Sequence, residues 1–195
     1  MAVSKVAIAN RALTKLGAAR IIALDDDSQA SNTLDSMFDT VRDAELRASL
    51  WHFSKARAVL PRLSEAPAFG YSSQFQLPAD CLRLIQVGSR PAQRNPTLDG
   101  WYSIEGGRLL VDDPGPLRLR YVKRIEDPTL FDALFVEVLA CRLAAESCET
   151  LTQSNTKKQA AWSEYEQALS VARRANAIER PALSMSDDTW LEARN

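Results

Sequence analysis

The chain has 195 residues, 46% of them apolar, enough for one full core or a core with a small satellite domain. Charged residues make up 25% and the net charge is -1, which excludes a global electrostatic pull toward nucleic acid or an anionic membrane and leaves room only for local patches. No apolar run approaches the roughly 18 residues of a membrane span, and Met1-Ala-Val-Ser-Lys5 lacks the apolar core of a secretory signal.

Val3, Val6, Asn10 and Leu13, with Leu16 close by, share a helical face and predict a first helix over 3–16, stopped at Gly17. Ile21 to Leu24 is an apolar link. Asp25-Asp26-Asp27-Ser28 then reads as a helix start, with Ser28 or Asp27 as the cap and the carboxylates suited to the positive end of the helix dipole. Leu34, Met37, Phe38, Val41, Ala44, Ala48 and Trp51 recur at intervals of three and four, which predicts a long second helix over 29–59, closed by Pro61.

Residues 61–127 change character, with prolines and glycines throughout. Leu77-Pro78-Ala79-Asp80 reads as a turn, because Pro78 fixes its own φ and biases Leu77 toward extended backbone. Strands are predicted at 82–88, 100–105, 108–111 and 117–123, with a hairpin turn at Gly106-Gly107 and another turn at 112–116. Leu117, Leu119 and Tyr121 alternate with Arg118, Arg120 and Lys123, giving one packed and one basic face.

Asp127 as cap and Pro128 at the first position restart the helix. Phe131, Leu134, Phe135, Val138, Leu139, Cys141 and Ala145 cover a wide arc, so this third helix has neighbours on several sides. Ser154 caps a fourth helix over about 155–179, whose inner face carries Ala161, Trp162, Tyr165, Ala168, Leu169, Ala172 and Ile178. Beyond Pro181 the chain is polar except for Leu183, Met185, Trp190 and Leu191, and reads as an extended arm.

The fold expected from these elements is α+β and mainly α-helical. A helical bundle is made of 1–60 and 128–180, with a small antiparallel β-unit inserted over 61–127 and a C-terminal arm over 181–195.

Few residues suggest chemistry. His52 is the single histidine, so any Ser-His or Cys-His site would have to use it. It reads as structural, between Trp51 and Phe53. Cys81, Cys141 and Cys148 do not suggest a disulfide framework. Seven residues on one helix set Cys141 and Cys148 roughly 10 Å apart, beyond the about 7 Å that a disulfide tolerates. Buried thiols in a reducing compartment are expected. No zinc ligand set, calcium loop or phosphate loop is spelled out, and no cofactor is implied. Arg118, Arg120, Lys123 and Arg124 form one basic stretch that could touch nucleic acid or simply be a solvated strand face.

Several segments taken in order resemble the tail tubular protein A family of tailed bacteriophages, the head-to-tail adaptors or connectors. They are Asn10-Arg-Ala-Leu-Thr-Lys-Leu-Gly17; Arg42-Asp43 followed by Leu50-Trp-His-Phe53; Leu77-Pro-Ala-Asp-Cys-Leu-Arg83; and Trp101-Tyr102 with Glu105-Gly106 and Leu109-Leu110. Leu117-Arg-Leu-Arg-Tyr-Val122, Phe131-Asp-Ala-Leu-Phe135 with Leu143-Ala-Ala145, and Thr189-Trp-Leu-Glu-Ala-Arg194 continue the series. The resemblance implies a structural virion protein without catalytic residues or metal. Its copies would form a ring, usually dodecameric, at the neck of the virion after assembly in the host cytoplasm. The ring would dock on the portal protein, with the tail or nozzle protein on the opposite side, genomic DNA passing through the middle and no membrane involved. Leu183, Met185, Trp190 and Leu191 would then anchor the arm on the portal or an adjacent subunit, and the basic stretch would be the candidate contact with channel DNA. Two other expectations stand beside this one. The first is a cytosolic helical protein-binding module with no viral role. The second is a cleft enzyme, which requires His52 and nearby carboxylates to line a deep pocket.

Overall fold

A computed structural model describes residues 3–92 and 100–179. The helices are α1 (Lys5–Leu16), α2 (Gln29–Ala48), α3 (Ala133–Thr152) and α4 (Asn155–Ile178). The strands are β1 (Lys55–Leu60), β2 (Ser73–Gln76), β3 (Cys81–Val87), β4 (Arg90–Pro91), β5 (Tyr102–Glu105), β6 (Arg108–Val111) and β7 (Leu117–Lys123). They form two antiparallel sheets, in the orders β1-β7-β3-β4 and β2-β6-β5.

This corrects the expectation of a mainly helical bundle with a small insert. The protein is an α+β fold in which two sheets stand as a substantial part beside four helices. The long second helix is also corrected. It stops at Ala48, where Ser49 turns extended, and Trp51 leads into a single 3₁₀ turn at His52–Ser54. Lys55–Leu60 then becomes a strand paired along its length with β7. The apolar spacing of 50–60 fits a helix locally, but pairing with a distant strand decides the conformation. β1, within residues 1–60, thus pairs with β7, within residues 61–127.

Most other local signals hold, but Ile178, expected on the inner face of α4, is 83% exposed. The Ser4 and Ser28 hydroxyls cap α1 and α2, and Gly17 ends α1 at φ 69. Ser154 caps α4, and Asp132 rather than Asp127 caps α3. Asp127 and Pro128 begin only a separate 3₁₀ turn, Pro128–Leu130. Gly106 and Gly107, at φ 55 and 77, make the β5–β6 hairpin. The amide of Cys81 closes the predicted turn on Pro78 O at 2.9 Å. Asp26 does not cap α2; its Oδ2 accepts from the amides of Ile22 and Ala23, both at 3.0 Å, and shapes the link before it.

The elements stack as helices, four-stranded sheet and three-stranded sheet. Cross-strand partners share a face, so Leu60 with Leu117, Ala58 with Leu119 and Val87, and Tyr121 with Leu84 point one way. That side packs against Phe75, Leu109, Val111 and Tyr102 of the smaller sheet. The opposite side splits. Val122, with Ile85 and Leu82, joins the helical core. Arg57, Val59, Arg118 and Arg120, further along the same face, are exposed. α3 is the centre of the helical layer and is buried on most sides. Phe135 closes an aromatic knot with Trp51, Phe53 and Phe131, at centroid distances of 5.0–5.1 Å.

Candidate functional site

The basic stretch of β7 divides into two parts. Arg124 Nε donates to Asp43 Oδ2 at 2.7 Å, and its amide donates to Asp80 O at 2.7 Å. Asp43 Oδ1 also receives the buried Arg42, at 2.9 Å from Nε, while Arg42 Nη1 reaches Asp39 Oδ1 at 2.7 Å. Burial works against ionised Asp39, but the Lys5 hydrogen bond and the neighbouring cations hold its carboxyl below the ordinary range. Lys123 lies 3.6 Å from Asp80, whose Oδ1 accepts from the Tyr121 hydroxyl at 3.1 Å. Burial and Asp80 push Tyr121 up to about 12. Lys123 and Arg124 therefore tie the sheet to α2 and to the turn before β3. Both thus have a carboxylate partner, while Lys123 stays exposed.

Arg118 and Arg120 differ from them. Both are exposed, and Arg57 stands directly across from Arg120 on β1. Among the described residues no carboxylate pairs with any of the three; Arg120 meets only the neutral Gln86 Oε1, at 3.3 Å. Between the arginines lies a depression of about 210 Å³, with Val59, Ala58, Gly88 and Leu119 also on its walls. Arg57 escaped the sequence reading because its segment looked helical. Like charges directly opposite on two strands destabilise the pair, so this face is built at a cost.

His52 does not line a deep pocket. The hollow beside it is about 100 Å³, and its Asp132 already caps α3. The ring Nε2 lies 2.8 Å from Asn176 O, and Nδ1 lies 3.2 Å from Lys55 Nζ. An ammonium can only donate and a carbonyl only accept, so these partners define a neutral Nε2–H tautomer with both nitrogens engaged. That is a structural histidine joining α4 to the start of β1.

Glu137, Cys141 and Glu164 come close enough to suggest a metal site. The Lys15 ammonium already occupies it, 2.7 Å from Glu137 and bonded to Glu164, and Arg11 also pairs with Glu137. Burial opposes the Lys15 charge, yet the two carboxylate hydrogen bonds outweigh it and raise the Lys15 pKa. Burial pushes the Cys141 thiol up to about 11, as it does Cys81. Neither is an activated nucleophile.

Glu45 lies on α2. It is 3% exposed. Its Oε1 accepts from the Tyr165 hydroxyl at 2.7 Å and lies 3.7 Å from Arg142, while Oε2 has no partner among the described residues. Burial raises its pKa against those two contacts. The spacing Phe38, Val41, Arg42, Glu45 was the signal, since it follows the apolar face. A wider groove of about 920 Å³ crosses the outer face of the smaller sheet beneath Glu65 to Tyr71. Its Arg108 is held by Glu65 at 3.1 Å and by Gln74 at 3.2 Å.

The arm residues Leu183, Met185, Trp190 and Leu191 lie outside the described residues. No protein-family model and no curated protein matches the chain. Among the described residues no helix is long and apolar enough to cross a membrane.

Proposed function

We propose that the chain is a head-to-tail adaptor of a tailed bacteriophage, a structural virion subunit that assembles as a dodecameric ring on the portal. The observation that carries this reading is where the resembling segments meet in the fold. Asp43 and Arg124 are 81 residues apart and join α2 to the main sheet. Trp51 and Phe53 meet Phe135 and Phe131 nearby. Asp80, in the Leu77–Asp80 turn, holds Tyr121. The motifs thus lie where the layers meet, Tyr121 on the side of the smaller sheet and the others on the side of the helices. A seam braced in this way suits a subunit that passes load from a portal-facing layer to a tail-facing one.

The exposed apolar side chains support an assembling protein as well. Phe69 is 88% exposed on the sheet side and Ile178 is 83% exposed at the end of α4. The arm, through Leu183, Met185, Trp190 and Leu191, is the proposed anchor on the portal. Arg118 and Arg120 are the remaining candidates to face DNA in the channel. Native mass measurement with and without the cognate portal ring tests the reading. One added dodecamer of this chain is expected. A portal mass unchanged by excess chain contradicts the reading and favours a non-viral binding module.

A further inference from the structure

The arginine-rimmed depression on the main sheet combines two features that a plain solvated strand face lacks. Arg57, Arg118 and Arg120 stand around it with no carboxylate among the described residues to balance them. Val59 on its wall is 64% exposed. At about 210 Å³ the hollow has room for one branched apolar side chain. A matching surface offers an apolar knob flanked by unpaired carboxylates. The link between α1 and α2 carries one. Ile22 is 91% exposed there, and Asp25 and Asp27, both exposed, have no cation partner among the described residues.

The knob is held in shape. Asn10 of α1 accepts from the Ile21 amide at 2.8 Å and donates to the Ile21 carbonyl at 2.9 Å. Asp26 Oδ2 accepts from the amides of Ile22 and Ala23, and Ser31 of α2 donates to Ala23 O at 3.1 Å. A backbone pinned on both sides of an exposed side chain loses little freedom when a partner covers that side chain. Arg20, two residues earlier, lines a separate hollow over α1 with Arg11 and Thr14.

The two patches lie apart on the molecule. α2 runs about 21 Å, at the usual helical rise, from the link to Asp43, where it meets Arg124 and the sheet. Arg120 and Arg118 lie further along β7, past the cover of the helical layer. A contact between two different patches of one chain is head to tail, and it repeats from copy to copy until a ring closes.

We infer that copies of this chain join head to tail, Ile22 of one copy seated against Val59 in the depression of the next, with Asp25 and Asp27 on the arginine rim. Arginine forks bind carboxylates in bidentate fashion, and a carboxylate between Arg57 and Arg120 removes the like-charge penalty of that cross-strand pair. A DNA backbone satisfies the arginines but brings no apolar group to cover Val59, whereas a second copy fits both features. The contact is argued from the two patches alone, and only its closure into a ring rests on the adaptor reading. A copy seated in the depression withdraws Arg118 and Arg120 from the channel.

Two full-length variants test the contact. One carries Ile22→Ser, Asp25→Asn and Asp27→Asn on the knob, and the other carries Arg57→Gln and Arg120→Gln on the depression. In sedimentation at low salt the parent should associate reversibly at concentrations up to about 1 mM. Each variant alone should associate at least about tenfold more weakly. Their equimolar mixture should regain heterodimers, because one variant keeps the arginines and the other keeps the knob. A parent that stays monomeric, variants that associate like the parent, or a mixture no stronger than its components each overturns the proposal. Either of the last two outcomes, joined to loss of duplex DNA binding in the depression variant, assigns the arginines to DNA instead. All the substituted side chains are exposed, and matching melting curves show that the comparison is made on folded protein. Portal binding is a different contact read by a different mass, so failure here and failure of the adaptor reading are told apart.

Discussion

The two ends of β7 carry the same kind of side chain with opposite outcomes. At the C-terminal end, Lys123 meets Asp80 in the turn before β3, and Arg124, the next residue, meets Asp43 of α2. At the N-terminal end, Arg118 and Arg120 meet no carboxylate among the described residues and face outward beside Arg57. One strand can therefore hold both a structural clamp and an open basic face. What separates them is which layer covers each half. The helical layer covers the end near Val122 and stops short of Arg120.

The comparison can be broken from its covered end first. Phe135→Ala empties the aromatic knot on which the seam rests. It should cost about 3–5 kcal/mol of unfolding free energy, read from urea titration. A loss below about 1 kcal/mol would mean that the knot does not brace the layers. Asp43→Ala comes next. It leaves Arg42 buried with one carboxylate fewer and frees Arg124. The expected loss is about 1–3 kcal/mol in the same titration.

Glu45 sharpens the comparison through pH. Its folded pKa is raised above the ordinary 4.5 by burial. The sign follows from linkage: its favourable contribution is complete below the unfolded value and is lost as pH rises through the raised folded value. Glu45→Gln keeps an acceptor for Tyr165 and removes that titration. Melting temperatures of the variant and the parent should therefore shift in the variant's favour as pH climbs from about 4.5 toward neutrality. A gap that stays constant or moves the other way would remove the buried charge from the account.

The open end should respond least. Arg118→Gln breaks no ion pair, so stability should change by no more than about 0.5 kcal/mol. Arg124→Gln, one residue past the end of the strand, should cost more, and equal effects would erase the distinction between the two ends.

Much of the local structure was legible from sequence. Gly17, Ser28, Ser154 and the Gly106-Gly107 turn act through neighbouring residues, so their signals are complete within a few positions. The alternation of Leu117, Leu119 and Tyr121 with Arg118 and Arg120 is present in β7, but Val122, on the face of those arginines, is buried in the helical core. The failures share one cause. Lys55–Leu60 is a strand because β7 lies beside it, and nothing within the segment records that neighbour. Ser73–Gln76 is short and half polar, and it too exists by pairing, with β6. Misplacing β1 hid Arg57 and left the basic stretch looking like one continuous patch. The capture of Arg124 by Asp43 crosses 81 residues and was equally out of reach.

The adaptor reading stands or falls on where the chain sits in a virion. A cryo-EM reconstruction of purified virions from the phage that this reading supposes to encode the chain answers this directly. The account predicts twelvefold density between portal and tail that fits the four helices and two sheets of this chain. A resolved neck whose rings are all accounted for by other proteins would contradict it.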